Sequence, residues 1–168
     1  MGEPTDDAAR RLLARALGER IVQCRERIFR RLALLYPAPD ILRARRGLVS
    51  LSARVRAQSM EYLETILSVE HKTLLAPLLD DAPEGERARR AALSLKLAPP
   101  TLGETLRVLA KAEDRWLRAC ALFTIGSLRL ANLSDRIDEN LASSDPTIQE
   151  TAMWARGQLQ RLEAKHAG

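Results

Sequence analysis

The residue types that most often perform chemistry are few in this sequence and lie far apart. Its two histidines are His71 and His166, and its two cysteines are Cys24 and Cys120. Catalysis requires a nucleophile, a base or a metal-ligand cluster whose members converge, and no spacing here predicts such a group. The eight glycines form no phosphate-binding motif. We therefore expect a protein that is not an enzyme, with no catalytic residue, metal or cofactor.

Four residues near the C-terminus have the chemistry of a protein-binding surface: Trp116, Arg118, Phe123 and Trp154. Binding hot spots favour Trp and Arg, and a groove lined by such residues accepts an amphipathic helix. Phe123 and Trp154 lie 31 residues apart, which is also the repeat length of the chain, so stacked repeats are expected to bring them together. Packing between repeats is the alternative role for this pair, because large aromatic side chains are usually buried.

Arg118 and Trp116 also have two interpretations each. Arg118 lies four residues after Asp114, and it could form a salt bridge with Asp145 or present its guanidinium fork to a carboxylate of a partner. Trp116 could border the same groove or cover the preceding turn. All four residues are therefore candidate partner contacts with a structural role as the alternative.

Basic residues are concentrated in the first 60 positions. Thirteen arginines against six acidic residues give this region a charge of +7, so the net charge of +5 leaves −2 for the remainder. Six of these arginines form a candidate anion-binding surface: Arg27, Arg30, Arg31, Arg43, Arg45 and Arg46. Such a surface suits nucleic acid or an anionic membrane surface, and an ordinary solvated face is the alternative. The few aromatic residues are not interleaved with these charges, which argues against base stacking and leaves binding to a duplex backbone open.

Helices must position all of these side chains. Leu, Ala, Arg and Glu dominate the composition and aromatic residues make up only 4%, so we expect an all-α fold without strands. Apolar residues recur every three or four positions near the N-terminus, which predicts a long helix over residues 6–36. A short helix is expected after Pro39 and Asp40, reaching to about Val49.

The rest of the chain repeats itself. Three segments align without gaps, and they begin at Val55, Leu117 and Ile148. The offsets of 62 and 31 residues predict a fourth copy between the first two, and the segment that begins at Ala88 fits this place after a shift of about two residues. A period near 30 residues in a helical chain indicates stacked helix pairs. The sequence therefore predicts a single domain of residues 1–168, with about four helix pairs over residues 39–162 forming an α-solenoid.

Capping residues support this register. Ser52, Asp114 and Asp145 each lie three positions before the first aliphatic residue of a copy, where an N-cap is expected. Pro146 follows at the favoured first helical position. The copy that begins near residue 88 offers only Gly85 at this place.

Two of the repeat copies resemble a known family. The segment DRWLRACALFTIG, from Asp114 to Gly126, resembles the second helix of HEAT repeats, and DPTIQETAM, which begins at Asp145, is similar. The last copy departs from the family pattern, because Gln149 stands where an Arg is expected. The resemblance implies a right-handed α-solenoid of the armadillo type that binds a protein partner in its concave groove.

A narrower resemblance covers the end of the first helix. The segment ERIFRRLALLYP, from Glu26 to Pro37, with Gly47 further on, resembles the HEAT region of some bacterial nucleotide-translocase-like transporters. This resemblance implies a regulatory or accessory module of a transporter-like system. The cysteine usage, the absence of a secretory signal and the short apolar runs favour a cytoplasmic protein. We therefore expect a protein-binding scaffold, with an anion-binding surface as the alternative.

Overall fold

A computed structural model of the chain describes the backbone of residues 6–79 and 84–166, and the side chains of residues 6–76 and 85–161. Within these residues the structure is helical and contains no strand, which confirms the predicted all-α class. The α-helices are α1 (Asp6–Leu35), α2 (Ala38–Leu48), α3 (Ala53–Ile66), α4 (Val69–Leu79), α5 (Glu84–Ser94), α6 (Leu102–Leu109), α7 (Arg115–Ser127), α8 (Ser134–Asp138) and α9 (Pro146–His166), with a 3₁₀ helix (Ala131–Leu133) before α8.

The first helix spans most of the segment predicted from its apolar pattern. Two acidic residues, Asp6 and Asp7, lie in its first turn, where they offset the partial positive charge of the helix end. It stops at Leu35 because Pro37 cannot donate an amide hydrogen and disfavours helical backbone at Tyr36. The four repeat copies predicted to begin at residues 55, 88, 117 and 148 fall within α3, α5, α7 and α9.

Two of the predicted N-caps are confirmed by their hydrogen bonds. The Asp114 carboxylate accepts from the backbone N–H groups of Trp116 and Leu117, at 3.1 and 3.2 Å. Asp145 accepts in the same way from the amides two and three residues later, at 2.9 and 3.3 Å. Helix α9 then begins at Pro146. Both helices therefore start where a short polar side chain can satisfy amides that have no partner in the helix.

The capping roles expected at Ser52 and Gly85 are confirmed only in part. Ser52 occupies the N-cap of α3, but its side chain makes no capping hydrogen bond. Gly85 lies inside α5 rather than before it. The sequence reading missed a capping box at α6, where the Glu104 N–H donates to the Thr101 hydroxyl at 3.2 Å and the Glu104 carboxylate accepts from the Thr101 N–H at 2.7 Å. The pKa of the Glu104 carboxyl is lowered because its carboxylate accepts hydrogen bonds from both the N–H and the hydroxyl of Thr101.

The described chain divides into two compact units. Unit 1 comprises Met1–Arg20 and Pro100–Gly168, and unit 2 comprises Ile21–Pro99. Helix α1 contributes its first half to unit 1 and its second half to unit 2. Unit 1 is therefore built from two separated parts of the sequence, and unit 2 from one.

Helix α7 lies at the centre of unit 1. Eight of its thirteen residues are buried, and it packs against both α6 and α9, while α8 packs against α9. Each helix pair thus supplies one helix, α7 or α9, that contacts its equivalent in the next pair. The buried core contains residues from α1 and from all four of these helices, namely Leu13, Ala16, Leu106, Ala110, Leu117, Cys120, Ala121, Leu122, Ile125, Leu133, Ile137, Ile148, Ala152, Ala155 and Leu159.

The contact between α7 and α9 is closest at Gly126. A Cβ atom placed there would lie 2.7 Å from the Cα atom of Ala155 and 2.9 Å from Cζ3 of Trp154. Real Cβ atoms do not approach other heavy atoms this closely, and a backbone Cα cannot yield as a flexible side chain can. Glycine is therefore required by the close approach of the two helices.

Replacing Gly126 with alanine should lower the free energy of unfolding of unit 1 by about 2 kcal/mol, because the methyl group must push α9 away from α7. Gly157→Ala is the matched control, since no heavy atom lies within 4 Å of the Cβ position at Gly157. Alanine there should instead stabilise α9 by roughly 0.5–1 kcal/mol through helix propensity. Urea unfolding of both variants measures the difference, and equal stability would contradict the close approach.

Unit 2 has a smaller core of its own. The second half of α1 buries Phe29 and Leu32, and α2 packs along α3. The remaining buried members of this core are Ile41, Ala44, Leu63, Leu67 and Leu75. Within the described part of the chain, none of the helices combines the length and the apolar character that crossing a membrane requires.

Candidate functional site

Helices α7 and α9 bring the two predicted aromatic residues together. The ring centroids of Phe123 and Trp154 are 4.9 Å apart and the ring planes are inclined by 18°, which is a stacked arrangement. Both residues are half-buried, and Trp154 packs against the core of unit 1. The predicted proximity is thus confirmed. The pair contributes to packing between α7 and α9 and leaves part of its surface accessible.

Trp116 is the most exposed of the four candidate contact residues. It lies in the first turn of α7, and 51% of its surface is accessible. Seven residues, which is about two helical turns, separate it from Phe123, so the two side chains leave α7 on the same side. The indole of Trp116 therefore leaves apolar surface in contact with water at the start of a largely buried helix.

A cleft of about 200 Å³ opens beside Trp116 within unit 1. Its other lining residues all come from the first half of α1, and they are Leu12, Arg15, Ala16 and Glu19. An ion pair of 3.4 Å between Arg20 and Asp114 ties this part of α1 to the start of α7. Arg15 and Glu19 pair with each other at 3.0 Å. The cleft therefore presents an indole, aliphatic surface and charges of both signs.

Arg118 does not make the salt bridge that was one of its two predicted roles. Its Nε group donates a 2.6 Å hydrogen bond to Oδ1 of Asn140. Asp145 instead pairs with Arg115, at 3.6 Å. Arg115 and Arg118 differ by nearly one full turn of α7, and the sequence alone did not distinguish which of them faces α9. The structure thus gives Arg118 a role inside unit 1 and separates it from Trp116.

Asn140 is the residue that sequence reasoning missed. It is 1% exposed, and its side-chain amide donates to the carbonyl groups of Ala110, at 3.1 Å, and Arg136, at 2.7 Å. Together with the bond from Arg118, every polar atom of its side chain has a partner. The three bonds link the ends of α6 and α8 to α7. A lone asparagine in a turn carries no pattern that would predict this network.

The six arginines of the predicted anion-binding surface separate into two groups. Those of α2 have local partners: Arg45 pairs with Glu26 at 3.0 Å, Arg43 lies 3.4 Å from Asp40, and Arg46 donates to the carbonyl oxygen of Leu42 at 3.3 Å. The other group consists of Arg27, Arg30 and Arg31, which are exposed on α1 and make no ion pair with any residue that the structure describes. The charges of Arg43 and Arg45 are partly offset by carboxylates, whereas Arg46 and the three arginines of α1 have no carboxylate partner among the described residues.

A larger cleft of about 490 Å³ lies between α2 and α3 in unit 2. Arg43, Arg46 and Tyr62 are among its lining residues. The Asp40 carboxylate lies beside them, and loss of hydration together with the hydrogen bond to Asp40 raises the pKa of Tyr62. Because a carboxylate already neutralises part of the arginine charge, this cleft is less suited to an anion than the exposed face of α1.

His71 is half-buried in unit 2 and makes a structural hydrogen bond. Its Nδ1 atom lies 2.6 Å from the Tyr36 hydroxyl. The hydroxyl oxygen accepts a 3.1 Å hydrogen bond from the Ser68 N–H. The rings meet edge to face with centroids 5.7 Å apart. The side chain of His166 lies outside the described residues. No cluster of three or more metal-ligating side chains occurs in the described part of the chain.

The two cysteines differ in reactivity. Cys120 is 2% exposed in the core of unit 1, and burial, with the nearby carboxylates of Asp114 and Glu19, raises the pKa of its thiol to about 11. The thiol therefore stays protonated at neutral pH and is a poor nucleophile. Cys24 is exposed on α1.

Comparison with known proteins gives no relative from which a function could be transferred. No protein-family model matches the chain, and neither does any curated protein or solved structure. The HEAT-repeat resemblance therefore remains an expectation based on the segments around Asp114, Asp145 and Glu26.

Proposed function

We propose that this chain is a non-enzymatic scaffold that binds a protein partner in the cytoplasm. In this proposal it is a right-handed, HEAT-like α-solenoid, and it serves as a regulatory or accessory module of a transporter-like system. The contacts inside unit 1 support the repeat architecture, because α6 packs on α7, α8 packs on α9, and α7 packs on α9. These are the contacts that two consecutive helix pairs of a solenoid would make.

The observation that carries the proposal is the exposed indole of Trp116 beside the cleft of α1. Tryptophan is among the residue types most enriched in binding hot spots, and the neighbouring cleft, which has both apolar and charged lining, can receive a side chain of the partner. The Arg15 and Glu19 charges at its rim suit the mixed charges of a protein segment better than a uniform polyanion. The Phe123–Trp154 pair lies on the same side of α7 and extends the apolar surface.

Site-specific photo-crosslinking in living cells tests this proposal. An aromatic photoreactive amino acid at position 116 keeps a large ring in place of the indole, and it should give discrete protein adducts that mass spectrometry identifies. Position 153 is the matched control, because Met153 is 54% exposed in unit 1 and is as accessible as Trp116 at 51%. Excess unlabelled wild-type chain should suppress the adducts, whereas the Trp116→Ala chain should not. The proposal fails if position 116 gives no adducts, or if position 153 gives the same ones.

A second candidate function rests on a separate observation. Arg27, Arg30 and Arg31 form an exposed basic group without carboxylate partners among the described residues. Uncompensated positive charge on one face of a helix attracts polyanions, either nucleic acid or an anionic membrane surface. In this function the second half of α1, not the cleft beside Trp116, is the binding surface.

A further inference from the structure

The second half of α1 exposes a continuous basic face. Arg27, Arg30 and Arg31 recur at the spacings that place residues on one side of a helix, and all three are exposed. The opposite side of the same segment buries Phe29 and Leu32 in the core of unit 2. The core therefore fixes the orientation of the helix, and the three arginines point away from it.

Two leucines continue this face to the end of the helix. Leu34 is 84% exposed and Leu35 is 67% exposed. Leu34 lies seven residues after Arg27, four after Arg30 and three after Arg31. These spacings place it on their side of α1. Leucines this accessible beside uncompensated arginines are unfavourable in water, and a partner that covers them must be both anionic and apolar.

We infer that the end of α1 binds an anionic membrane surface, with Arg27, Arg30 and Arg31 on the lipid headgroups and Leu34 and Leu35 in the acyl boundary. Arginine side chains bind headgroup phosphates and carboxylates, while exposed leucines at a helix end enter the boundary between headgroups and acyl chains. This inference deepens the second candidate function and rests on it. In this inference the chain attaches to the surface of one leaflet. None of its described helices is long and apolar enough to span the bilayer.

The leucines favour lipid over nucleic acid as the source of negative charge. A nucleic-acid backbone offers phosphates but no apolar layer, so Leu34 and Leu35 would remain uncovered on it. A bilayer offers both within a few ångströms of each other. The acidic residue of α1 closest in sequence to the arginines, Glu26, is occupied by Arg45, so it does not weaken the attraction.

Flotation of the full-length chain with lipid vesicles tests the inference. Binding is expected to vesicles with about 30% phosphatidylserine and not to vesicles of phosphatidylcholine alone. Each arginine near an anionic surface contributes roughly a fivefold gain in partitioning. The triple variant Arg27→Gln/Arg30→Gln/Arg31→Gln should therefore partition about a hundredfold more weakly.

A matched control distinguishes the effect of these three positions from the effect of total charge. Arg54, Arg89 and Arg161 are also exposed, and changing all three to glutamine alters the total charge by the same amount. This control should bind within about twofold of the wild type if the face of α1 is the binding surface. Leu34→Ser/Leu35→Ser should weaken binding about tenfold while keeping every charge. Circular dichroism of each variant confirms that the helices are retained.

Cys24 supplies a second readout on the same helix. It is exposed, whereas the Cys120 thiol is buried and protonated, so a polarity-sensitive dye attaches selectively at Cys24. Anionic vesicles should shift its emission to shorter wavelength, and duplex DNA should not.

Three results would overturn the inference. They are the absence of vesicle binding at low salt, an equal loss in the control triple variant, and full binding by the Leu34→Ser/Leu35→Ser chain. In the last case, competition by duplex DNA would identify a nucleic-acid binder and leave the second candidate function standing. Trp116→Ala should bind vesicles as the wild type does. A failure of the membrane-binding inference can therefore be distinguished from a failure of the protein-binding proposal.

Discussion

Replacing Ala121 with glutamate should lower the free energy of unfolding of unit 1 by about 4 kcal/mol. Ala121 is fully buried in α7, and the core cluster around it consists of apolar side chains. The longer side chain has to displace close-packed atoms, and its carboxyl group loses water without gaining a hydrogen-bond partner. Both effects act on the central helix of the unit.

Tryptophan fluorescence during urea unfolding measures this effect selectively. The chain has two tryptophans, Trp116 and Trp154, and both lie in unit 1. Ala131→Glu is the control, since Ala131 is exposed, and it should change stability by less than about 0.5 kcal/mol. Burial would raise the pKa of the introduced carboxyl, so the deficit should be smaller at about pH 4 than at pH 7. An unchanged unfolding midpoint for Ala121→Glu would contradict the placement of α7.

Replacing Asn140 with alanine should cost unit 1 about 3 kcal/mol. The substitution leaves the carbonyl groups of Ala110 and Arg136 without their side-chain donor, and it removes the acceptor of Arg118. Buried polar groups that lose their partners retain the full cost of desolvation. Asn140→Asp should also destabilise the unit, because a carboxylate oxygen would face two carbonyl oxygens.

Replacing Arg118, which donates to Asn140, should destabilise unit 1 less than replacing Asn140 itself. Arg118 is only half-buried, so water can replace part of its bond, and Arg118→Ala should cost less, about 1 kcal/mol. The double variant should show coupling between the two residues of roughly 1 kcal/mol. Asn132→Ala is the control, since Asn132 is exposed. Additive losses at Arg118 and Asn140 would show that the bond between them contributes nothing to stability.

The sequence predicted those features that depend on local chemistry or on the repeat register. The caps at Asp114 and Asp145 follow from a short acidic residue placed before an apolar run. The stacking of Phe123 on Trp154 follows from their 31-residue separation, because equivalent positions of adjacent repeats lie side by side. The capping box at Thr101 was also readable, since Glu104 follows three residues later.

Long-range polar pairing was not predictable in the same way. Asn140 meets Arg118 and Ala110 across 22 and 30 residues, and no periodicity relates these positions. Which arginines of the basic region keep their charge free depends on carboxylates that tertiary packing brings to them, such as Glu26 for Arg45. The division into two units escaped prediction because the apolar stripe of α1 continues without a break across Arg20 and Ile21.

The positions of the two units along the sequence also determine which of them can fold first during translation. Unit 2 is contiguous from Ile21 to Pro99, whereas unit 1 needs both the first twenty residues and those after Pro100. Leu13 and Ala16 therefore emerge long before the helices of unit 1 that cover them. At ordinary translation rates the interval is on the order of ten seconds. During that time the beginning of α1 is an apolar stripe without its partners, and a natural place for a chaperone to hold the nascent chain.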